Sequence, residues 1–261
     1  MTAARRDLGP AIRSLPGMEQ LIAALEGLPP TYLVGGAVRD LLRGVESLDL
    51  DLAVEGDAAA AGRELAARLG GEAVEHERFG TATVRAGDLA VDLAATRRER
   101  YPQPGALPVV EPAPLSEDLG RRDFSINAMA ASLAPASVGT LHDPRGGLRD
   151  LGAGAVRVLH TASFVDDPTR LLRAVRYEAR LDFAMDEATE RLAREAVRAG
   201  ALGTVSRPRI RDALLDLLAE TEVAGAVERL AELGIDRGLH PGLRVDPELV
   251  ASAALGALDT G

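Results

Sequence analysis

Three carboxylates and a set of arginines carry the chemistry this sequence can be expected to perform. In "LDLDLAV" the residue types alternate, so an extended strand would point Leu48, Leu50 and Leu52 to one face and Asp49 and Asp51 to the other. Two carboxylates on one face repel and raise each other's pKa unless a cation sits between them. Asp92, in "LAVDLAAT", is flanked by apolar residues in the same way and is a third candidate. Three acids on adjacent strands suit two Mg²⁺ ions about 4 Å apart, an arrangement that activates an attacking hydroxyl and steadies a departing pyrophosphate. Magnesium takes a few carboxylates, phosphates and waters as ligands, which fits such a site. A solvated strand face explains most D-x-D pairs, and the third acid is what argues beyond it here.

The arginines lie in three places. Gly35 and Gly36 in "YLVGGAVRDLLRG" end a strand and open a helix, where free backbone N–H groups can meet an anion, and Arg39 follows one turn in. On its own such a glycine pair is more often just a tight turn. Arg121 and Arg122 in "RRDFSINAMA" precede Asp123 and Asn127 and suit a triphosphate clamp, although Asp123 equally suits the cap of an ordinary helix. In "DDPTRLLRAVRYEARLDF" Asp167 is a natural N-cap and Pro168 a natural first helical residue. Arg170, Arg173 and Arg176 follow at three-residue intervals, opposite Leu171, Leu172, Val175 and Ala179. A solvated helix face is the ordinary explanation, yet arginines without alternating acids stabilise one another poorly. Asp167 one turn before an arginine also offers a donor and acceptor pattern to a nucleobase edge.

Other chemistries find no support. The four histidines at 76, 142, 160 and 240 lack metal spacing, and there is no cysteine for a disulfide, a thiolate zinc site or a nucleophile. No G-x-S-x-G or P-loop occurs, and "GGAVRDLLRG" lacks the glycine order of a dinucleotide fold. A net charge of −10 argues against coating nucleic acid with the whole surface, while leaving room for a local arginine groove. With aromatics at 3%, stacking platforms are scarce. Neither a membrane span nor a secretory signal is visible, so the chain reads as cytoplasmic.

A chain of 261 residues, 46% hydrophobic and 27% charged, can bury a good core and divide into two domains. A lead-in helix, "MEQLIAALEGL", closes at Pro29 and Pro30. Short strands then alternate with helices, one of them "DAAAAGRELAARLG" with Asp57 as N-cap. "TATVRA" and "LAVDLAAT" read as a hairpin turning at Gly87 and Asp88. "RRERYPQPGALPVVEPAPLSEDLG" holds five prolines and reads as a long functional flexible loop. "RRDFSINAMAASL" is expected to begin a helix, and from Thr161 onward the pattern is helical, which puts a boundary near residue 150.

In their order, "LVGGAVRDLLRG", "LDLDLA", "VDLAATRRERY", "EDLGRRDFSINAMA", "DPRGGLRDL" and "DDPTRLLRAVRYEARLDF" resemble the bacterial class II tRNA nucleotidyltransferase and poly(A) polymerase family. The resemblance runs over about residues 30 to 240. It implies an α+β fold: a polymerase-beta-like nucleotidyltransferase head with a small mixed sheet (1–149), an all-helical neck (150–240), and the start of a truncated or minimal body domain (241–261). It implies Mg²⁺-dependent, template-independent addition of CMP and/or AMP, from CTP and/or ATP, to the 3′ end of tRNA, with no membrane and no protein partner. By motif, Asp49 and Asp51 would be the metal ligands and Asp92 the third catalytic acid. Gly35, Gly36, Arg39, Arg121 and Arg122 would meet the triphosphate, beside Asp123 and Asn127 of the same motif. Asp167, Arg170, Arg173 and Arg176 would select the incoming base.

The chain departs from the pattern in "VSRPRIRDALLDLLAE", where Pro208 and Ala213 stand at usually acidic neck positions. The undeleted segment from Thr96 to Gly120 speaks against an enzyme restricted to CC addition, and leaves CCA and A addition open. The rival readings are a poly(A) polymerase acting on other RNAs, a nucleotide- or RNA-binding module without catalysis, and a small-molecule nucleotidyltransferase. The last would have no need of the neck arginines.

Overall fold

The computed structural model describes residues 7–45, 49–76 and 80–246. Leu48 and the "ASAALGALDTG" tail lie outside the described residues. The chain forms two compact units, Met1–Glu99 with Val110–Leu151 and Arg100–Val109 with Gly152–Gly261. Among the described residues no helix is long and apolar enough to cross a membrane.

The first unit is built on a mixed sheet. Its strands are β1 (Thr31–Val34), β2 (Leu50–Val54), β3 (Glu72–His76), β4 (Thr81–Ala86) and β5 (Leu89–Ala95), joined further along the chain by β8 (Ala130–Ser132) and β9 (Leu141–His142). Their order is β3-β4-β5-β2-β1-β8-β9, with β2 and β5 parallel and every other neighbouring pair antiparallel. Alternation sorts the side chains as the pleat requires. Leu50, Leu52, Val91 and Leu93 are buried in the main core, while Asp51 and Asp92 between them are exposed. The helix Ala58–Leu69 packs into that core through Ala61 and Leu65, and Asp57 caps it by accepting from Ala60 N–H at 2.9 Å. The β4–β5 hairpin turns at Gly87 and Asp88 as expected, and Gly87 supplies the positive φ of 56° that a two-residue turn demands.

Two expectations fail in this unit. The segment that begins "RRDFSINAMAASL" does not start a helix. It makes only a 3-10 turn, Ser125–Asn127, and then becomes β8, which pairs with β1. Phe124, Ile126, Ala128, Met129, Ala130 and Ala131 are all buried, and a run buried on every side suits a central strand between two neighbours. The proline-rich stretch is likewise not a structureless loop. It contains the paired strands β6 (Arg97–Arg100) and β7 (Val109–Pro112), and then the helix Leu115–Gly120. Leu115 and Leu119 bury against Val34, Ala53 and Ala130 on the sheet face that also bears Asp51.

The second unit holds the helices Thr169–Leu181, Glu187–Arg198, Arg207–Leu218 and Val223–Leu233. It also has a parallel two-residue pair, β10 (Ala155–Val156) with β11 (Ala184–Met185), which the helical pattern concealed. Arg229 of the last of these helices ties it to the first two, donating to Glu178 (3.0 Å) and Glu190 (2.5 Å) as well as to Glu232 of its own helix (2.9 Å). Residues 100–109 belong to this unit through Gly105. Its carbonyl accepts from Arg209 at 2.9 Å, and a Cβ there would fall 2.2 Å from the Thr204 hydroxyl oxygen. With φ at +68° as well, only glycine fits that approach.

Candidate active site

Strand register assembles the acidic group. Asp51 of β2 stands directly opposite Asp92 of β5 in the parallel pair, and Asp49 lies two residues earlier on the same chain. Asp49, Asp51 and Asp92 each present a carboxylate oxygen, and the three oxygens lie within 4.8 Å of one another. Loss of solvation, followed by repulsion from Asp49, pushes the Asp51 carboxyl above the usual carboxylate range; Arg122 pulls the other way and Asp92 adds to the rise. Like charges this close, with Arg122 offsetting only part of the rise at Asp51, fit a divalent cation in both charge and donor type.

Beside the acids opens a cavity of about 430 Å³, whose lining includes Asp51, Asp92, Thr83, Arg121 and Arg122. The two arginines reach it because the Leu115–Gly120 helix lies on the aspartate-bearing face and ends just before them. Asp118, only 1% exposed, accepts from Arg121 Nε (2.9 Å), from Arg122 Nη2 (3.1 Å) and from the Arg97 backbone N–H (3.2 Å). Glu99 takes a further bond from Arg121 Nη1 at 2.9 Å. Charge-assisted bonds of this kind hold the guanidinium planes in place before any ligand arrives. The Arg122 Nε is buried without a hydrogen-bond partner.

Gly35 serves this arrangement, though differently from the expectation, while Gly36 opens the helix Gly36–Arg43. Gly35 has a φ of +69°, and a Cβ there would stand 3.0 Å from Arg122 Nη1, so the missing side chain makes room for the clamp. Arg39, expected at the phosphates, is buried at 3% exposure instead. It donates to both carboxylate oxygens of Asp40 (2.9 and 2.8 Å) and to Asn127 Oδ1 (2.8 Å). Asn127 in turn donates to Asp123 at 3.1 Å. Arg39, Asp123 and Asn127 thus form an internal bracket joining the Gly36–Arg43 helix to the 3-10 turn after the clamp.

In the second unit the predicted arginines do share the helix Thr169–Leu181, which begins two residues after Asp167, but they do not share one solvated face. Burial falls along the helix. Arg170 is buried and donates to Ser163 Oγ at 2.7 Å, Arg173 is half-buried with its guanidinium 5.9 Å from the Tyr177 ring centroid, and Arg180 is exposed. Three-residue spacing rotates each successive arginine by about 60° on a 3.6-residue helix, which accounts for the drift. Arg176 is occupied by Asp216 (2.8 Å) and Glu220 (2.6 Å) and serves to hold a neighbouring helix. Asp167 accepts from the Thr169 backbone N–H (3.1 Å) and from Arg209 Nη2 (2.8 Å), so it caps as expected and is braced as well.

Comparison with known proteins gives the relatives. Residues 31–157 match the Poly A polymerase head domain. Over that stretch, just under half of its length, the chain carries such a head. An A-adding tRNA nucleotidyltransferase of Halalkalibacterium halodurans is 46% identical over 211 residues, 80% of this chain and 49% of that protein. A solved CCA-adding enzyme in its apo form II superposes with a TM-score of 0.88 at 39% identity, covering 94% of this chain and 60% of that one. A tRNA nucleotidyltransferase solved with a primer tRNA and an incoming ATP analog gives 0.79 at 38% identity, covering 89% of this chain and 65% of that one. The chain spans a quarter to half the length of such curated relatives. Within this head domain, sequence reading missed Asp118, Glu99 and Thr83. Asp118 had a visible signal, an acid three and four residues before paired arginines on a short helix. Thr83 had none, because only strand pairing brings it to the acids.

Proposed function

We propose that this chain adds nucleotides to an RNA 3′ end, the 3′ end of tRNA in particular, using CTP and/or ATP and Mg²⁺ and releasing pyrophosphate. The observation that carries the reading is that Asp51 and Asp92, grouped with Asp49, line one cavity with the clamped Arg121 and Arg122, in a poly A polymerase head. Asp49 and Asp51, with Asp92 as third acid, would hold the metal. When bound, Mg²⁺ supplies the positive charge that favours the hydroxylate form of the RNA 3′ end and the departing pyrophosphate. Arg121 and Arg122 bind and orient the triphosphate, and Asp118 and Glu99 keep them aligned. Orientation without reorganisation is what such fixed charges contribute to a transition state. Asp167 and Arg170, with Arg173, are assigned to base choice. Arg176 is assigned to packing.

Addition of AMP is favoured by the name of the 46%-identical relative and by the ATP analog in the solved neighbour. The test is extension of tRNA transcripts ending before the first C, before the second C and before A, each offered CTP, ATP, GTP or UTP with and without Mg²⁺. The reading expects Mg²⁺-dependent addition that stops at the terminal A. Long adenosine tails on any RNA would instead make this a poly(A) polymerase, and nucleotide binding without pyrophosphate release would make it a binding module. Replacing Arg170 by Ala should impair choice among nucleotides more than metal binding. Equal loss with every nucleotide would give that side chain a phosphate or folding role.

A further inference from the structure

The row of side chains that forms the acidic site does not end at Asp92. In the parallel pair Asp51 faces Asp92, and in the adjoining antiparallel pair Asp92 faces Thr83. The three residues therefore stand side by side across β2, β5 and β4 on the sheet face that opens into the cavity. Beyond Thr83 the row ends on Val74 of the edge strand, which has no hydrogen-bonding side chain to offer. Neighbouring strands are about 4.8 Å apart, so the threonine hydroxyl can reach Asp92 but not Asp51 one strand further on. It does reach it: Thr83 Oγ1 donates to Asp92 Oδ1 at 2.5 Å.

We propose that Thr83 is a positioning residue for the metal-binding carboxylates, fixing Asp92 so that its second oxygen is turned to Asp49 and Asp51. The inference rests on the reading of these three acids as a metal site. A free aspartate rotates about two side-chain bonds, and repulsion from Asp51 and Asp49 would drive its carboxylate away from them. A hydroxyl donated to one oxygen blocks that escape. It also leaves the carboxylate charge in place, which an arginine at position 83 would cancel. Ligating carboxylates depend on such outer hydrogen bonds, and their loss typically lowers metal affinity by about 10–100-fold. Threonine suits the position for a second reason, since a β-branched side chain favours the strand that carries it.

The test compares Thr83→Val, which keeps the shape and the strand preference but loses the hydroxyl, with Thr83→Ser, which keeps the hydroxyl. Mn²⁺ binding by the full chain is followed through the electron paramagnetic resonance of the free ion, and melting is followed without metal. The inference expects Thr83→Val to melt like wild type yet bind Mn²⁺ about 10-fold more weakly, with Thr83→Ser close to wild type. Nucleotide addition should then need correspondingly more Mg²⁺ in Thr83→Val, with the rate largely restored at saturation. Unchanged Mn²⁺ affinity in Thr83→Val would overturn the positioning role and leave the metal site standing. A wild-type chain that binds no Mn²⁺ would overturn the metal site and this inference with it.

Discussion

Each unit of this protein gathers three carboxylates, and the two groups differ in what stands among them. In the second unit Glu178, Glu190 and Glu232 surround Arg229, which donates to all three. Hydrogen bonds from Arg229 and then Arg194 hold the Glu190 carboxyl below the usual glutamate range. In the first unit Asp51 stands between Asp49 and Asp92 and is displaced the opposite way, by lost solvation and by its acidic neighbours, with Arg122 acting against the rise. The same residue class at similar density thus has two uses. Neutralised from within, it fastens helices; crowded by like charge, it presents the donor set that a divalent cation takes.

The contrast breaks most visibly at Asp51. Removing one ligand forfeits several kcal/mol of charge stabilisation, so Asp51→Ala should cut nucleotide addition by on the order of 1,000-fold or more with every nucleotide. The fold should not suffer, because the substitution relieves repulsion. A stopped-flow or gel-based rate, read beside a melting curve, checks both halves. At Arg229 the expected signs reverse. Arg229→Met takes one cation from three acids, among them the 9%-exposed Glu178, which keeps only the Met185 N–H among its described donors, and should destabilise the second unit by about 2–3 kcal/mol. Mn²⁺ binding by the first unit should not change, and denaturant melting with a parallel Mn²⁺ titration separates the two.

Acid sharpens the comparison further. The folded pKa of Glu190 lies below its ordinary value, so the stability it contributes is present above the ordinary glutamate pKa and is lost as pH falls through the lower, folded value. Urea melts of the wild type should therefore lose second-unit stability on acidification through that window, and Arg229→Met should show a shallower loss. The smallest effect is expected at Arg176. Its partners Asp216 and Glu220 are partly solvated, so Arg176→Ala should cost about 1 kcal/mol or less. Discrimination between ATP and CTP should be unaltered, as competition assays would show.

What could be read in advance follows from how local each cause is. Alternation alone put Asp51 and Asp92 on exposed faces of buried strands, and the cap at Asp57 and the turn at Gly87 depend on residues within three positions. Features made by distant pairing were not legible. Arg39 is held by Asn127, 88 residues away, and Arg209 reaches Gly105 across 104. The stretch after Asp123 was misread because its alanines favour helix, and the place between β1 and β9 overrode that preference. The partners of Arg176 were hidden for a related reason, since Asp216 and Glu220 lie 40 and 44 residues further along the chain.

The most direct test of the central claim is calorimetric melting of wild type and Asp51→Asn at neutral pH, each with and without Mg²⁺. If the first-unit acids await a cation, Mg²⁺ raises the wild-type transition by the binding linkage, and Asp51→Asn melts higher than wild type in its absence and gains little when it is added. An equal Mg²⁺ shift in both proteins, or none in the wild type, would contradict the claim that these carboxylates are a metal site.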